Sequence, residues 1–286
     1  RRERVYAISR GQAAHLEVSL PQKRKRNLGP HAIIVLGFVV IILLGTLLLM
    51  LPHSSASGEI TPFVDALFTS TTATGTVGLV VVDTGTHWSK FGQGVLIILM
   101  EVGGLGFMAG TILLFLVLGR QLSLRQRQIF QESLVLRTIG GMSGMAWRLV
   151  VFTLGVEAVG ALVLYLQFSG DSAIGPTDAW WYAVFHSVSA YTGSGLDLMG
   201  NFQSFQQQAL HPLVLLTMIL MIIPGDLGFL VVLDVLRNWR LKRLAMETKL
   251  ILWLNFILWP TAALGFLFLE SSNPETLGRM PFLHRL

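Results

Sequence analysis

The chain has 286 residues, of which 52% are hydrophobic and only 13% charged, whereas soluble domains carry about 25% charged residues, so the composition calls for a bilayer rather than water. The net charge of +5 is better matched by anionic lipid headgroups than by nucleic acid. With no cysteine, disulfides, thiolate metal sites and cysteine nucleophiles are excluded.

A basic arm over residues 1–29 precedes the first apolar stretch, 31–51, which lacks a small-residue cleavage site and reads as a retained helix. Four further stretches, 91–119, 148–168, 208–236 and 250–270, also reach the length of about 20 residues that a membrane-crossing helix needs. Basic residues fill the connections on one side. They lie in the arm, at Arg120, Arg125, Arg127, Arg137 and Arg148, and at Arg237, Arg240, Lys242, Arg243 and Lys249. The positive-inside rule makes those segments cytoplasmic, with the N-terminus inside. The opposite connections carry Glu59, Asp65, Asp83, Asp171, Asp178 and Asp197, an acidic outer mouth that favours cations. Between Arg120 and Met145, QLSLRQRQIFQESL sets Leu122, Leu124, Ile129, Phe130, Leu134 and Leu136 among polar residues. That pattern predicts an amphipathic helix at the inner membrane surface.

Each outer connection holds an apolar segment too short to cross, PFVDALFTSTT at 62–72 and DAWWYAVFHSVSA at 178–190. The two align without gaps at an offset of 117 residues, pairing Ala66 with Ala183, Phe68 with Phe185, Ser70 with Ser187, Gly78 with Gly195 and Leu79 with Leu196. A second match, Gly103-Gly-Leu-Gly-Phe107 with Gly225-Asp-Leu-Gly-Phe229, recurs at an offset of 122. The unit is helix, re-entrant pore loop, helix, used in tandem. The expected fold is therefore an all-α integral membrane protein with these tandem units around a pore. Its divisions are the arm at 1–29, a first unit at 30–119, a cytoplasmic connection at 120–147, a second unit at 148–238 and a last segment at 239–286.

Irregular backbone at membrane depth is tolerated only where it is buried in protein or lines a wet cavity. Carbonyls converging on an axis can replace the hydration shell of a cation, and pore helices aim their negative C-terminal ends at the same place. The carbonyls of Thr76, Val77, Gly193 and Ser194, next to Gly78 and Gly195, are the candidates to face the ion. Glu101, Glu157 and Asp226 fall inside apolar stretches, where charge is costly. Glu101 and Glu157 read as helix-packing hydrogen-bonding acids. Asp226 reads either as a structural acid at a kink beside Pro224 and Gly225 or as part of the ion path or gate. His186 either tunes the loop by pH or is a buried neutral imidazole bonded to its neighbours. Trp88, Trp180, Trp181, Tyr182 and Tyr191 are expected to mark the outer interface.

The segments TSTTATGTVGLVVVDTG, LMEVGGLGFM and FHSVSAYTGSGLDLMGNF resemble the Trk/Ktr/HKT superfamily of potassium transporters, in particular its bacterial Ktr-type pore subunit, over nearly all of residues 30–286. The resemblance implies four such units around one pore, each lending a filter strand with a key glycine, here Gly78 and Gly195. It assigns the potassium filter to Thr76, Val77, Gly78 and Leu79 with Thr192, Gly193, Ser194, Gly195 and Leu196. Thr76-Val77 stands where the family has Val-Thr, and Gly193 where it has Asn. K+ is the implied transported ion, with Na+ as a candidate activator and no cofactor on this chain. The implied partners are a second copy of the subunit, a cytosolic ring of nucleotide-binding regulatory subunits and membrane lipids, with no nucleic acid, at the plasma (inner) membrane. Residues 247–270 look like the first helix of a third unit and SSNPETLGRMPF like its outer loop, so the expectation is a chain incomplete at its C-terminus.

An enzyme reading fails on its residues. Pro224-Gly225-Asp226 resembles the Gly-x-Gly-Asp motif of intramembrane aspartyl proteases, but Ile223 replaces the first glycine and the preceding span has Glu157 and no Asp. No Walker, His-Glu-x-x-His or nucleophile-elbow sequence is present. A sodium-conducting member of the same superfamily and an unrelated secondary transporter are the alternatives; the latter is expected to show inverted repeats, whereas these units run in the same direction.

Overall fold

A computed structural model describes residues 7–9, 12–14, 30–106, 142–170, 174–175, 177–238, 240 and 243–273. The amphipathic connection before residue 142, the second apolar stretch beyond 106, Asp171, most of the basic arm and the outer loop after 273 lie outside the described residues. The chain is helical, as its composition requires, in the order α1 (Pro30–Leu49), α2 (Phe63–Thr74), α3 (Thr84–His87), α4 (Lys90–Gly104), α5 (Met142–Phe168), α6 (Ala179–Thr192), α7 (Pro212–Leu227), α8 (Phe229–Arg237) and α9 (Met246–Glu270). An antiparallel ribbon in the arm, Ala7–Ser9 paired with Gln12–Ala14, is the one addition to the all-α expectation among the described residues.

Two described helices are long and apolar enough to cross a bilayer, Trp147–Phe168 and Thr248–Glu270. The stretch expected as one span over 208–236 is broken. Its two halves, Pro212–Leu227 and Val231–Arg237, meet at 99°, because Gly228 adopts φ +78° and ψ 146° just after the Pro224 turn and only glycine takes such angles without penalty. Counted as one bent span, the pair makes a third crossing.

α2 and α6 are the short helices read from the two half-length apolar segments. α2 packs against α1 and α4, and α6 against α5 and α7, while α4 also leans on α6. Leu49, Ala66, Ala73, Trp88, Leu96, Met100, Phe185 and Leu198 form one core drawn from both halves of the chain. Leu164, Phe168, Ala179, Ala183 and Val214 form a second around α6. Within a bilayer such side chains gain from close packing rather than from leaving water, and here that packing is concentrated around the short helices. Trp88 and Tyr191 depart from the interfacial role expected of them: they are 1% and 7% exposed. Trp88 packs beside Gly92, and the Tyr191 hydroxyl hydrogen-bonds Thr153 at 3.0 Å. Trp180 is exposed, as expected.

Candidate functional site

The two short helices are held by matching contacts. On α2, Ser70 Oγ donates to the Ile42 carbonyl at 2.8 Å; on α6, Ser187 Oγ donates to the Glu157 carbonyl at 2.6 Å. Each serine ties its short helix to the long helix that precedes it. At the other end, a Cβ built on Gly103 would overlap the Thr74 carbonyl oxygen, and one on Gly225 would overlap that of Tyr191. Glycine therefore lets α4 and α7 close onto the C-terminal ends of α2 and α6. Gly106 and Gly228, three residues on, share left-handed φ values of +71° and +78°.

The strands leaving these helices repeat the same turns. Thr76, Gly78, Gly193 and Gly195 have φ of +50°, +78°, +71° and +68°, while Val77 and Ser194 between them do not enter the left-handed region. Val77 N–H donates to Thr72 O at 3.0 Å, and Ser194 N–H to Ser189 O at 3.0 Å. A hydroxyl closes each loop: Thr72 Oγ1 accepts from Leu79 N–H at 3.0 Å, and Ser189 Oγ donates to Leu196 O at 2.5 Å. The strands touch at their glycines. A Cβ on Gly78 would stand 2.7 Å from Ser194 O and 3.5 Å from the Gly195 Cα; one on Gly195 would stand 3.7 Å from the Gly78 Cα. Thr192 ends α6 with its hydroxyl on Val188 O at 2.8 Å, and its side chain lies against Gly104.

The polar residues of the apolar stretches separate into distinct roles. Glu101 and Glu157 lie against each other, bringing α4 and α5 together, and Glu101 Oε2 and Glu157 Oε1 are buried without a hydrogen-bond partner among the described residues. His186 is fully buried, with Nδ1 on Tyr182 O at 2.7 Å and Nε2 on Leu198 N–H at 3.1 Å. One ring nitrogen donates and the other accepts, which is the neutral imidazole, and it pins the backbone just past Leu196. Asp226 Oδ1 lies 3.4 Å from the place a Gly193 Cβ would take, and its side chain is exposed. Among the described residues, no group of three or more His, Cys, Asp or Glu could hold a metal ion.

Three ties that sequence reasoning missed join the two helix, short-helix, helix segments. Asp83 caps α3, accepting at Oδ1 from Thr86 N–H at 2.9 Å and from Thr86 Oγ1 at 3.0 Å. Its Oδ2 accepts from Phe202 N–H at 2.6 Å. Burial pushes the Asp83 carboxyl up, but the bonds from Phe202, Thr86 and Gly85 together outweigh it and hold the group below the ordinary value of 3.8. Trp181 Nε1 donates to Gln93 Oε1 at 2.5 Å. The Lys90–Asp178 ion pair at 2.7 Å spans the same gap, but both side chains are well exposed, so it contributes little. No spacing rule links such distant residues. The Gly103 and Gly225 contacts did leave a signal, the repeated Gly-x-Leu-Gly-Phe pattern.

Half-length helices ending in glycine-bearing strands that meet backbone to backbone, within an apolar helical chain, describe a helical membrane protein with re-entrant segments. Residues 4–272 match the family model of the TrkH cation transport proteins, and the chain belongs to that family, one of transporters rather than enzymes. It is 36% identical over 258 residues to the Ktr system potassium uptake protein B of Bacillus subtilis, covering 90% of this chain and 56% of the relative. It is 35% identical over 261 residues to the protein of the same description from Vibrio alginolyticus (91% and 56%). With the potassium/sodium uptake protein NtpJ of Enterococcus hirae it shares 33% over 270 residues (94% and 59%). The chain thus spans little more than half the length of these relatives.

Proposed function

We propose that this chain supplies two of the filter strands of a potassium-uptake pore, with Thr76, Val77, Gly78 and Leu79 on one strand and Thr192, Gly193, Ser194, Gly195 and Leu196 on the other. The observation that carries the reading is the meeting of Gly78 and Gly195 at the ends of two matching left-handed turns. Alternating handedness turns successive carbonyls toward one side of a strand, and carbonyls gathered on one side can stand in for the water around a cation. The C-termini of α2 and α6 precede both strands and add negative potential there.

In this reading residues 30–119 and 148–238 are two helix, pore-loop, helix units, 239–286 begins a third, and a ring of four completes the pore. The potassium-uptake descriptions of the relatives support K+ as the cargo, moving down its electrochemical gradient. The description of NtpJ keeps sodium as the competing ion or activator. The Ktr system descriptions support a multi-component assembly, which this reading completes with a second copy of the subunit and a cytosolic nucleotide-binding ring on the basic side. The segregated charge supports the inner membrane with the N-terminus cytoplasmic.

Ion flux through the complete subunit in proteoliposomes tests the assignment. Gly78→Ser and Gly195→Ser are expected to change potassium over sodium discrimination while the protein stays folded, since strained backbone costs about 1–3 kcal/mol. Gly78→Ser should be the harsher, because its side chain would meet Ser194 O. Unaltered discrimination in both variants would remove the filter assignment.

A further inference from the structure

The two copies of the Gly-x-Leu-Gly-Phe segment differ in charge at one place. At Gly104 a side chain cannot fit, because a Cβ would stand 2.6 Å from Thr192 Cγ2. The matching position in the second copy is Asp226. Its side chain has no hydrogen-bond or ion-pair partner among the described residues and is exposed. It does not hold the break in the helix, which falls at Gly228, whose N–H reaches Gly225 O at 3.2 Å. An unpaired carboxylate in an apolar helix is tolerated where it faces water. Asp226 Oδ1 sits beside Gly193, 3.4 Å from where a Cβ would be, at the end of the strand that adjoins the α6 C-terminus. The partly negative C-terminal ends of α2 and α6 lead directly into the two strands.

We propose that Asp226 is a specificity-determining residue, a fixed charge that concentrates hydrated cations at the inner mouth of the filter and admits divalent cations there as blockers. This rests on the filter reading above. The carboxylate acts through its field on ions still holding their water, and it needs no direct coordination. One acid in the ring is enough to favour a doubly charged ion over a singly charged one, because the attraction scales with ionic charge.

The test uses the complete subunit reconstituted in a bilayer, with Mg2+ added on the side of the α2 and α6 C-termini while potassium current or flux is followed. Asp226→Asn is expected to weaken Mg2+ block by about tenfold, the Coulomb attraction between a divalent ion and one carboxylate several ångströms away in water. Asp226→Glu should keep the block, and potassium over sodium discrimination should hold in both. If Asp226→Asn abolishes flux, restoration by Asp226→Glu supports the proposal and failure to restore overturns it. Block unchanged in Asp226→Asn, or thermal stability lost with block intact, marks the residue as structural and also overturns it. The filter reading fails separately, through Gly78→Ser and Gly195→Ser.

Discussion

The strand after α2 and the strand after α6 share a backbone but not an environment. Val77 and Leu79 are 58% and 60% exposed, while Ser194 and Leu196, their counterparts, are 0% and 2% exposed. The cover over the second strand comes from α4: Ser194 Oγ donates to Met100 Sδ at 2.7 Å, and Gly104 lies on Thr192. No described residue does the same for the first strand. What the two strands hold in common is therefore local to each copy: the hydroxyl closure, the serine anchor and the glycine under the helix end. What differs is supplied by the neighbouring copy. In the proposed ring, the helix that would cover Val77 and Leu79 belongs to the fourth unit.

The sharpest way to break the equivalence is at the glycines that touch backbone carbonyls. Gly103→Ala and Gly225→Ala each drive a methyl into a backbone carbonyl that cannot rotate away, and each should cost about 3 kcal/mol, read as a fall in thermal midpoint of the detergent-solubilised protein. Gly225→Ala should be the worse, since its overlap with Tyr191 is the deeper; a normal midpoint for one of them would mean that the copies close differently. A smaller effect separates Thr76 from Gly193. Threonine at φ +50° is strained, so Thr76→Gly should stabilise and Gly193→Thr destabilise by about 1–2 kcal/mol. Equal and opposite shifts would show that the two turns are energetically interchangeable. Smaller again, Ser70→Ala and Ser187→Ala each remove a hydroxyl donor to a helix carbonyl and should cost about 1 kcal/mol. A null result for both would mean that packing alone seats the short helices.

Much of this arrangement was legible because it is local or repeated. The length of the apolar segment at 62–72 gave α2, and the offset of 117 paired Gly78 with Gly195, which share handedness, and Ser70 with Ser187, which share the anchor to the preceding helix. The rest depends on side chains that meet only after folding. Glu101 and Glu157 lie in separate apolar stretches, so each could be read as an acid in search of a partner but not as the other's partner. Trp88 carried the composition of an interfacial residue, and its burial under α4 followed from Gly92, whose missing side chain lets the ring in. The helix break at Gly228 was masked by the continuous hydropathy of 208–236, in which Pro224 was visible and the glycine's handedness was not.

The least of the expected effects tests the join between the copies. Asp83, in the connection after α2, holds Phe202 N–H in the connection after α6. The hydrogen bonds from Phe202, Thr86 and Gly85 overcome burial and lower the Asp83 value below 3.8, so the ionised carboxylate contributes stability above the ordinary carboxylate value, and that contribution is lost as pH falls through the lowered one. Neutral pH lies on the stable side. Asp83→Asn keeps one acceptor but turns an N–H2 group toward the remaining donors, so it should be less stable than wild type at neutral pH and lose less on acidification. Because the carboxylate is only partly buried and its surroundings are screened, the difference should stay below about 1 kcal/mol. Parallel acid profiles for wild type and Asp83→Asn would show that the join between the copies rests on Trp181 and Gln93 rather than on this carboxylate.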